Sequence, residues 1–223
     1  MPTTSRDARL LVFARAPRPG AVKTRLVPLL GESGAAELQR RLIEHTLAVA
    51  HGAAIGAVEL HGAPDCEDPF LADCARRHGA RGISQIEGDL GARMAAALES
   101  ALAAVPYAIL LGTDCPALAA AHLQAARDAL AAGADAVFVP AEDGGYALVG
   151  LRRCDRQLFD GIAWGGAQVM AQTRARLSSL GWRWRELETL WDVDRPDDYR
   201  RLVALNLLAG GRSPTDSAVE TGG

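Results

Sequence analysis

The chain has 223 residues, a length that suits one domain with room for a substantial core. Hydrophobic residues make up 49% and charged residues 23%, as in ordinary soluble globular proteins, and the net charge of −3 argues against general nucleic-acid binding. No apolar run approaches the roughly 18 residues of a membrane helix, and "MPTTSRDAR" has no signal-peptide core behind it, so the expected location is the cytoplasm.

Taken in chain order, "RLLVFARA" is apolar without strict alternation, as a parallel strand covered on both faces should be. Leu38, Leu42, Ile43, Leu47 and Ala50 recur at helical spacing over Ser33 to Ala50, with Ser33 as the expected N-cap. A second strand is expected over Ile55 to Gly62, a short helix ended by Gly79, a weak strand in "RGISQIEG", and an alanine-rich helix over Leu90 to Val105. "YAILLGTDCPAL" runs a strand into a polar turn, and "AAAHLQAARDALAAG" is a helix stopping at Gly133. "DAVFVPAEDGGYALVGL" holds two strands, "AQVMAQTRARLSSLG" a helix, and "RPDDYRRLVALNLLAG" a last helix with Pro196 in its first turn. The tryptophan-rich "WRWRELETLWDVD" has no assigned element. Residues 1–209 read as a single domain, and the Gly/Ser/Thr/Pro-rich residues 210–223 as a flexible tail.

Cys66, Cys74, Cys115 and Cys154 have neither disulfide nor metal-ligand spacing and read as reduced, buried small residues. The five scattered histidines read as surface or helix-end residues.

Repeated β–α units imply a mostly parallel sheet with helices on both faces, and such sheets bind ligands beyond the carboxyl ends of their strands. The loops there are therefore the informative ones. The first, "ARAPRPGAVKTRL", carries Arg15, Arg18, Lys23 and Arg25 with no acid among them. It lacks the glycine spacing of a P-loop, which makes a P-loop ATPase a poor fit. Pro17 and Pro19 stiffen the turn, and the cations could grip phosphate oxygens or simply form a solvated basic loop. In "LLGTDCP", Asp114 follows a strand and stands beside Thr113, where it could ligate Mg²⁺ or Mn²⁺ or close a turn. "PAEDGGYALVG" sets two glycines beside two carboxylates, either a close approach to a ligand or an acidic turn. "LWDVDRPDD" places Asp192 and Asp194 on one face if extended, as a second metal contact or as acids opening a helix. Together the loops fit metal-assisted handling of a nucleotide diphosphate.

"FARAPRPGAVKTRL", "GDLGARM", "LLGTDCPAL", "PAEDGGYALVGL" and "DVDRPDDYRRL" resemble, in this order and across Leu10 to Leu205, the bacterial DUF2064 family. Its members are provisionally described as glycosyltransferases, or as radical-SAM/selenodomain-associated transferases, and are related to phospholactate guanylyltransferases. The resemblance implies a Rossmann-like α/β/α sandwich of the GT-A, nucleotide-diphospho-sugar transferase type. It assigns nucleotide contacts to Arg15, Pro17, Gly20, Lys23 and Arg25, with Thr113 beside them and Arg93 as either a further contact or part of a helix start. Asp114 maps onto the metal position, with Asp192 or Asp194 completing the shell around Mg²⁺ or Mn²⁺. The acceptor side maps onto Glu142, Asp143, Gly144, Gly145 and Tyr146, with Asp143 orienting or deprotonating the acceptor. The sequence departs from the pattern in its proline-bearing first loop, in T-D-C where D-x-D is usual, and in the glycines of "AWGGAQ", where Trp164 could stack on substrate or pack in the core.

The expected activity is glycosyl transfer from a nucleotide-sugar to a small acceptor, with Asp114, Asp143 and Lys23 at the chemistry. Nucleotidyl transfer from an NTP to a phosphorylated small molecule is the alternative, and a non-catalytic nucleotide-binding accessory protein a third reading. The expected partners are a nucleotide or nucleotide-sugar and a small acceptor, with no nucleic acid and no membrane span.

Overall fold

The structure is a computed structural model that describes residues 7–208; the tail expected over 210–223 lies outside the described residues. Seven strands among these residues form one sheet: β1 (Ala8–Arg15), β2 (Gly56–Ala63), β3 (Arg81–Ser84), β4 (Tyr107–Gly112), β5 (Ala136–Pro140), β6 (Tyr146–Leu151) and β7 (Trp184–Glu186). Their spatial order is β3-β2-β1-β4-β6-β5-β7. Only β6 runs against its neighbours, antiparallel to both β4 and β5, so the sheet is mixed but mostly parallel.

Among the described residues six α-helices cover it: α1 (Val27–Gly52), α2 (Pro69–Arg77), α3 (Leu90–Leu102), α4 (Ala120–Ala131), α5 (Val169–Ser179) and α6 (Pro196–Leu205). The period of two along β1 sorts its side chains into two cores. Leu10 and Val12 pack under α1, α2 and α4 with Ile43, Leu47, Leu71 and Leu130. Leu11 and Phe13 pack on the other face with Met94 and Leu98 of α3 and Leu177 of α5. A third cluster joins Leu26, Leu38 and Leu42 to Trp191, Val193 and Leu202, and so docks α6. This is the three-layer α/β/α sandwich that the alternation of elements implies.

Three local expectations need correction. The first helix starts at Val27, ahead of Ser33, and its backbone leaves helical geometry at Gly31, whose φ of 68° suits a residue without a Cβ. The tryptophan-rich segment contributes an edge strand, β7, parallel to β5. Its three residues are too few to show a period. His61, read as a surface residue, is buried on β2, stacked on Phe13 and hydrogen-bonded to the buried Glu59, which Arg9 neutralises. All four cysteines are free, and burial pushes the Cys74 and Cys115 thiols up to about 11. Among the described residues no helix is long and apolar enough to cross a membrane.

Candidate functional site

From β1 the chain steps one way to β2 and β3, and β4 lies on the other side, so the strand order reverses between β1 and β4. A cleft of about 660 Å³ opens beyond the carboxyl ends of these strands. It is where an open α/β sheet is expected to bind a ligand.

The first loop turns sharply after β1. Gly20 (φ 76°) and Lys23 (φ 48°) both adopt left-handed backbone, which is uncommon for lysine and marks a conformation held by its surroundings. What holds Lys23 is visible. Its side chain is 4% exposed, and Nζ lies 2.8 Å from Asp114 Oδ1 while donating to the Val193 carbonyl at 2.7 Å. The Val193 amide in turn donates to the Asp114 carbonyl at 2.8 Å. Lysine, β4 loop and the "DVD" segment therefore form one joint. Arg25 pairs with Asp194, and Arg15 also lines the cleft. Arg18 is turned away, onto Asp68 at the start of α2.

The "DVD" segment reaches the site because Leu190 bonds to Pro140 at the end of β5. Asp192 and Asp194 line the cleft while Val193 between them is fully buried in the third core cluster. The Asp192 carboxyl is pushed up to about 6, first by burial and then by the negative charge of Asp143, with Asp114 adding less. Asp143 sits in a tight turn, its Oδ1 accepting from the Gly145 amide at 2.8 Å. Thr113 is buried, its hydroxyl accepting from Gln39 at 3.2 Å.

Of the residues expected at the site, the structure gathers Arg15, Lys23, Arg25, Arg93, Thr113 and Asp114 around the cleft, together with Asp143, Gly145, Tyr146, Asp192 and Asp194. Pro17, Gly20, Glu142 and Gly144 are not among the lining residues. Glu142 points instead to Arg201 of α6, at 3.0 Å, and that guanidinium also stacks 4.4 Å from the Trp191 ring. Gly144 is structural: a Cβ there would lie 2.1 Å from the Ala167 carbonyl oxygen, so glycine lets the two loops touch. Arg93 lies in the first turn of α3, whose N-cap Asp89 accepts from Ala92, and donates to the Gly88 carbonyl at 2.9 Å.

Trp164 also lines the cleft. It stacks near Phe159 and meets Tyr146 edge-on, with ring centroids 6.5 and 6.4 Å apart. Burial raises the Tyr146 phenol above its ordinary range. Sequence reading missed Phe13, Gln39, Gln85, Leu90 and Met94. Gln85 could have been found, since it directly follows β3; Gln39 could not, being one polar position on a long helix.

A family model described as an uncharacterized protein conserved in bacteria (DUF2064) matches residues 46–166. No curated protein matches the chain. Among solved structures, the chain is similar to a protein of Desulfovibrio desulfuricans G20, provisionally named a nucleotide-diphospho-sugar transferase. The identity is 29% and the TM-score 0.82, covering 95% of this chain and 93% of that one. A cytidylyltransferase from Leptospira borgpetersenii shares the fold at 13% identity, with a TM-score of 0.58 over 88% of this chain and 84% of its own. Rv0371c from Mycobacterium tuberculosis H37Rv, solved in complex with manganese, does so at 22% and 0.52, over 89% of this chain and 98% of its own. The sheet is thus that of the nucleotide-diphospho-sugar transferases, as the motifs led one to expect. With more than half of its residues matched by the family model, the chain belongs to the DUF2064 family.

Proposed function

We propose that the protein is a divalent-metal-dependent glycosyltransferase that takes a sugar from a nucleoside diphosphate donor to a small acceptor. One observation carries the reading: at the sheet's switch point, Arg15, Lys23, Arg25 and Arg93 line one cleft together with Asp114, Asp143, Asp192 and Asp194. Lys23 and Arg25 are matched internally by Asp114 and Asp194. Arg15 and Arg93 have no carboxylate partner among the described residues, which suits them to a diphosphate.

Among the described residues no three ligating side chains already form a metal cage. The donor chemistry fits Mg²⁺ or Mn²⁺ all the same, because Asp114 and Asp192 are oxygen donors on one cleft and Asp143 stands close enough to Asp192 to add negative charge. Such ions commonly complete their shell with substrate phosphates. The ion would supply positive charge for the departing nucleoside diphosphate. Asp143 is our choice for the base: it takes the acceptor hydroxyl's proton as that oxygen bonds the sugar's anomeric carbon. The bond from that carbon to the phosphate oxygen breaks, and its electron pair leaves with the nucleoside diphosphate.

Nucleotidyl transfer from an NTP is the second reading, favoured by the gathering of all four lining cations on the first loop and α3, where they could receive pyrophosphate. The product separates the two. A thermal-shift panel of NTPs, NDPs and nucleotide-sugars with Mg²⁺, Mn²⁺ or EDTA finds the ligand. At about 100 times its dissociation constant a ligand adds roughly 2.7 kcal/mol, a rise of about 5–10 °C for a domain of this size. Turnover releasing nucleoside diphosphate supports glycosyl transfer, and pyrophosphate the second reading. Nucleotide binding with no turnover under either metal would favour the accessory-protein reading.

A further inference from the structure

The cations of the cleft are not spread evenly. All four come from the first loop and from α3, whereas the wall built by Ala141 to Ala147 and Trp164 to Val169 contributes Asp143, Tyr146 and Trp164 but no Lys, Arg or His. Asp192 adds negative charge beside that wall, and Asp194 is cancelled by Arg25. Arg201, behind it on α6, is held by Glu142 and by the Trp191 ring. The polar edge of Trp164 is turned inward: a Cβ on Gly91 would stand 2.7 Å from its Nε1, and that nitrogen is buried without a hydrogen-bond partner among the described residues. What the indole gives the cleft is therefore carbon surface, next to two glycines, Gly165 and Gly166, that add no side chains.

We infer that the acceptor is a neutral, hydroxyl-bearing compound, a sugar or polyol whose carbon face lies on Trp164, and not a phosphorylated or carboxylated one. The inference rests on the transferase reading above. An ion at Asp114 and Asp192 would be shared with the donor's diphosphate, so Asp143 is the charge an incoming acceptor meets. A hydroxyl can donate to it, while a phosphate ester brings like charge against it. Sugars offer apolar C–H faces that cover aromatic carbon, and phosphate groups do not.

The test uses matched pairs: glucose with glucose 6-phosphate, and glycerol with glycerol 3-phosphate. Each is titrated by saturation-transfer NMR into the protein with Mg²⁺ and the nucleoside diphosphate that stabilises it. The neutral member should bind about tenfold or more tightly than its ester, the scale of one like charge met at contact distance in a partly screened site. Asp143→Asn, which keeps the bond to Gly145, should narrow that ratio to about threefold. An ester that binds as tightly as its parent overturns the inference, as does failure of every neutral probe to bind or a ratio unmoved by Asp143→Asn. The nucleotide titration, done first, isolates the other failure: if no nucleoside diphosphate binds, the transferase reading itself falls.

Discussion

The joint between Lys23 and Asp114 makes an asymmetric prediction. The two side chains share an ion pair at 2.8 Å, yet Lys23 is 4% exposed and Asp114 53%. Removing either one should therefore cost different amounts. Asp114→Ala leaves an ammonium in the interior with only the Val193 carbonyl as acceptor. Stranding one partner of a fully buried pair costs about 3–5 kcal/mol; water reaching the vacated Asp114 position lowers this to about 2–3 kcal/mol. Lys23→Met keeps the buried stem and removes the charge. Asp114 then turns to solvent, so the main loss is the hydrogen bond to Val193, about 1 kcal/mol. Urea unfolding at neutral pH should accordingly place Asp114→Ala about 1–2 kcal/mol below Lys23→Met, a gap of roughly 2–8 °C in Tm. The double variant should be less destabilised than the sum of the singles, because it strands nothing. Lys23→Met costing as much as Asp114→Ala would refute this account, and would mean that the lysine's own packing, not its charge, holds the loop.

Three other expectations follow from the same geometry. Burial and neighbouring carboxylates raise Asp192 to about 6, so the folded chain holds a proton there that the unfolded chain has lost above its ordinary carboxylate value. Stability should fall as pH rises from about 4 to 6. Asp192→Asn should relieve that loss by about 1 kcal/mol at pH 7, after solvent screening, and change little at pH 4; equal effects at both pH values would sink the assignment. Gly91→Ala would set a Cβ 2.7 Å from Trp164 Nε1 and 2.8 Å from the Phe159 carbonyl oxygen. The clash should outweigh the roughly 1 kcal/mol gained in helix propensity and destabilise by about 1–2 kcal/mol with altered tryptophan emission; a more stable variant with unchanged emission would count against the packing described. Arg201→Ala frees Glu142 and uncovers Trp191, next to Asp143 and Asp192. It should cost under about 1 kcal/mol in stability yet weaken Mn²⁺ binding several-fold by calorimetry, and unchanged binding would show that α6 does not position the carboxylates.

The sequence made the layers legible because their signals are local. "LLVFA" has no polar residue to expose, which suits a doubly covered strand, and β1 sends Leu10 and Val12 into one core and Leu11 and Phe13 into the other. Gly79 and Gly133 ended helices where expected, each with positive φ. β7 was illegible because its three residues obtain their strand geometry from pairing with β5, a contact that sequence spacing does not encode.

The site divides in the same way. Loops that follow strands could be found by rule, and eleven of the fifteen residues singled out from them and from the family motifs line one cleft. What the residue pattern could not show is which charges cancel. Along the chain, Arg15, Arg18, Lys23 and Arg25 are equivalent cations. In the fold, Arg18 turns to α2, Lys23 is sealed against Asp114, Arg25 meets Asp194, and Arg15 lines the cleft with no carboxylate partner among the described residues. Those differences arise from partners 50 to 170 residues away, among them Asp68, Asp114 and Val193. The lysine that looked most like a phosphate-binding residue is the one the fold uses to fasten three loops together. On the transferase reading proposed above, phosphate gripping falls to Arg15 and Arg93, which lie farther apart in sequence than any pair within the first loop.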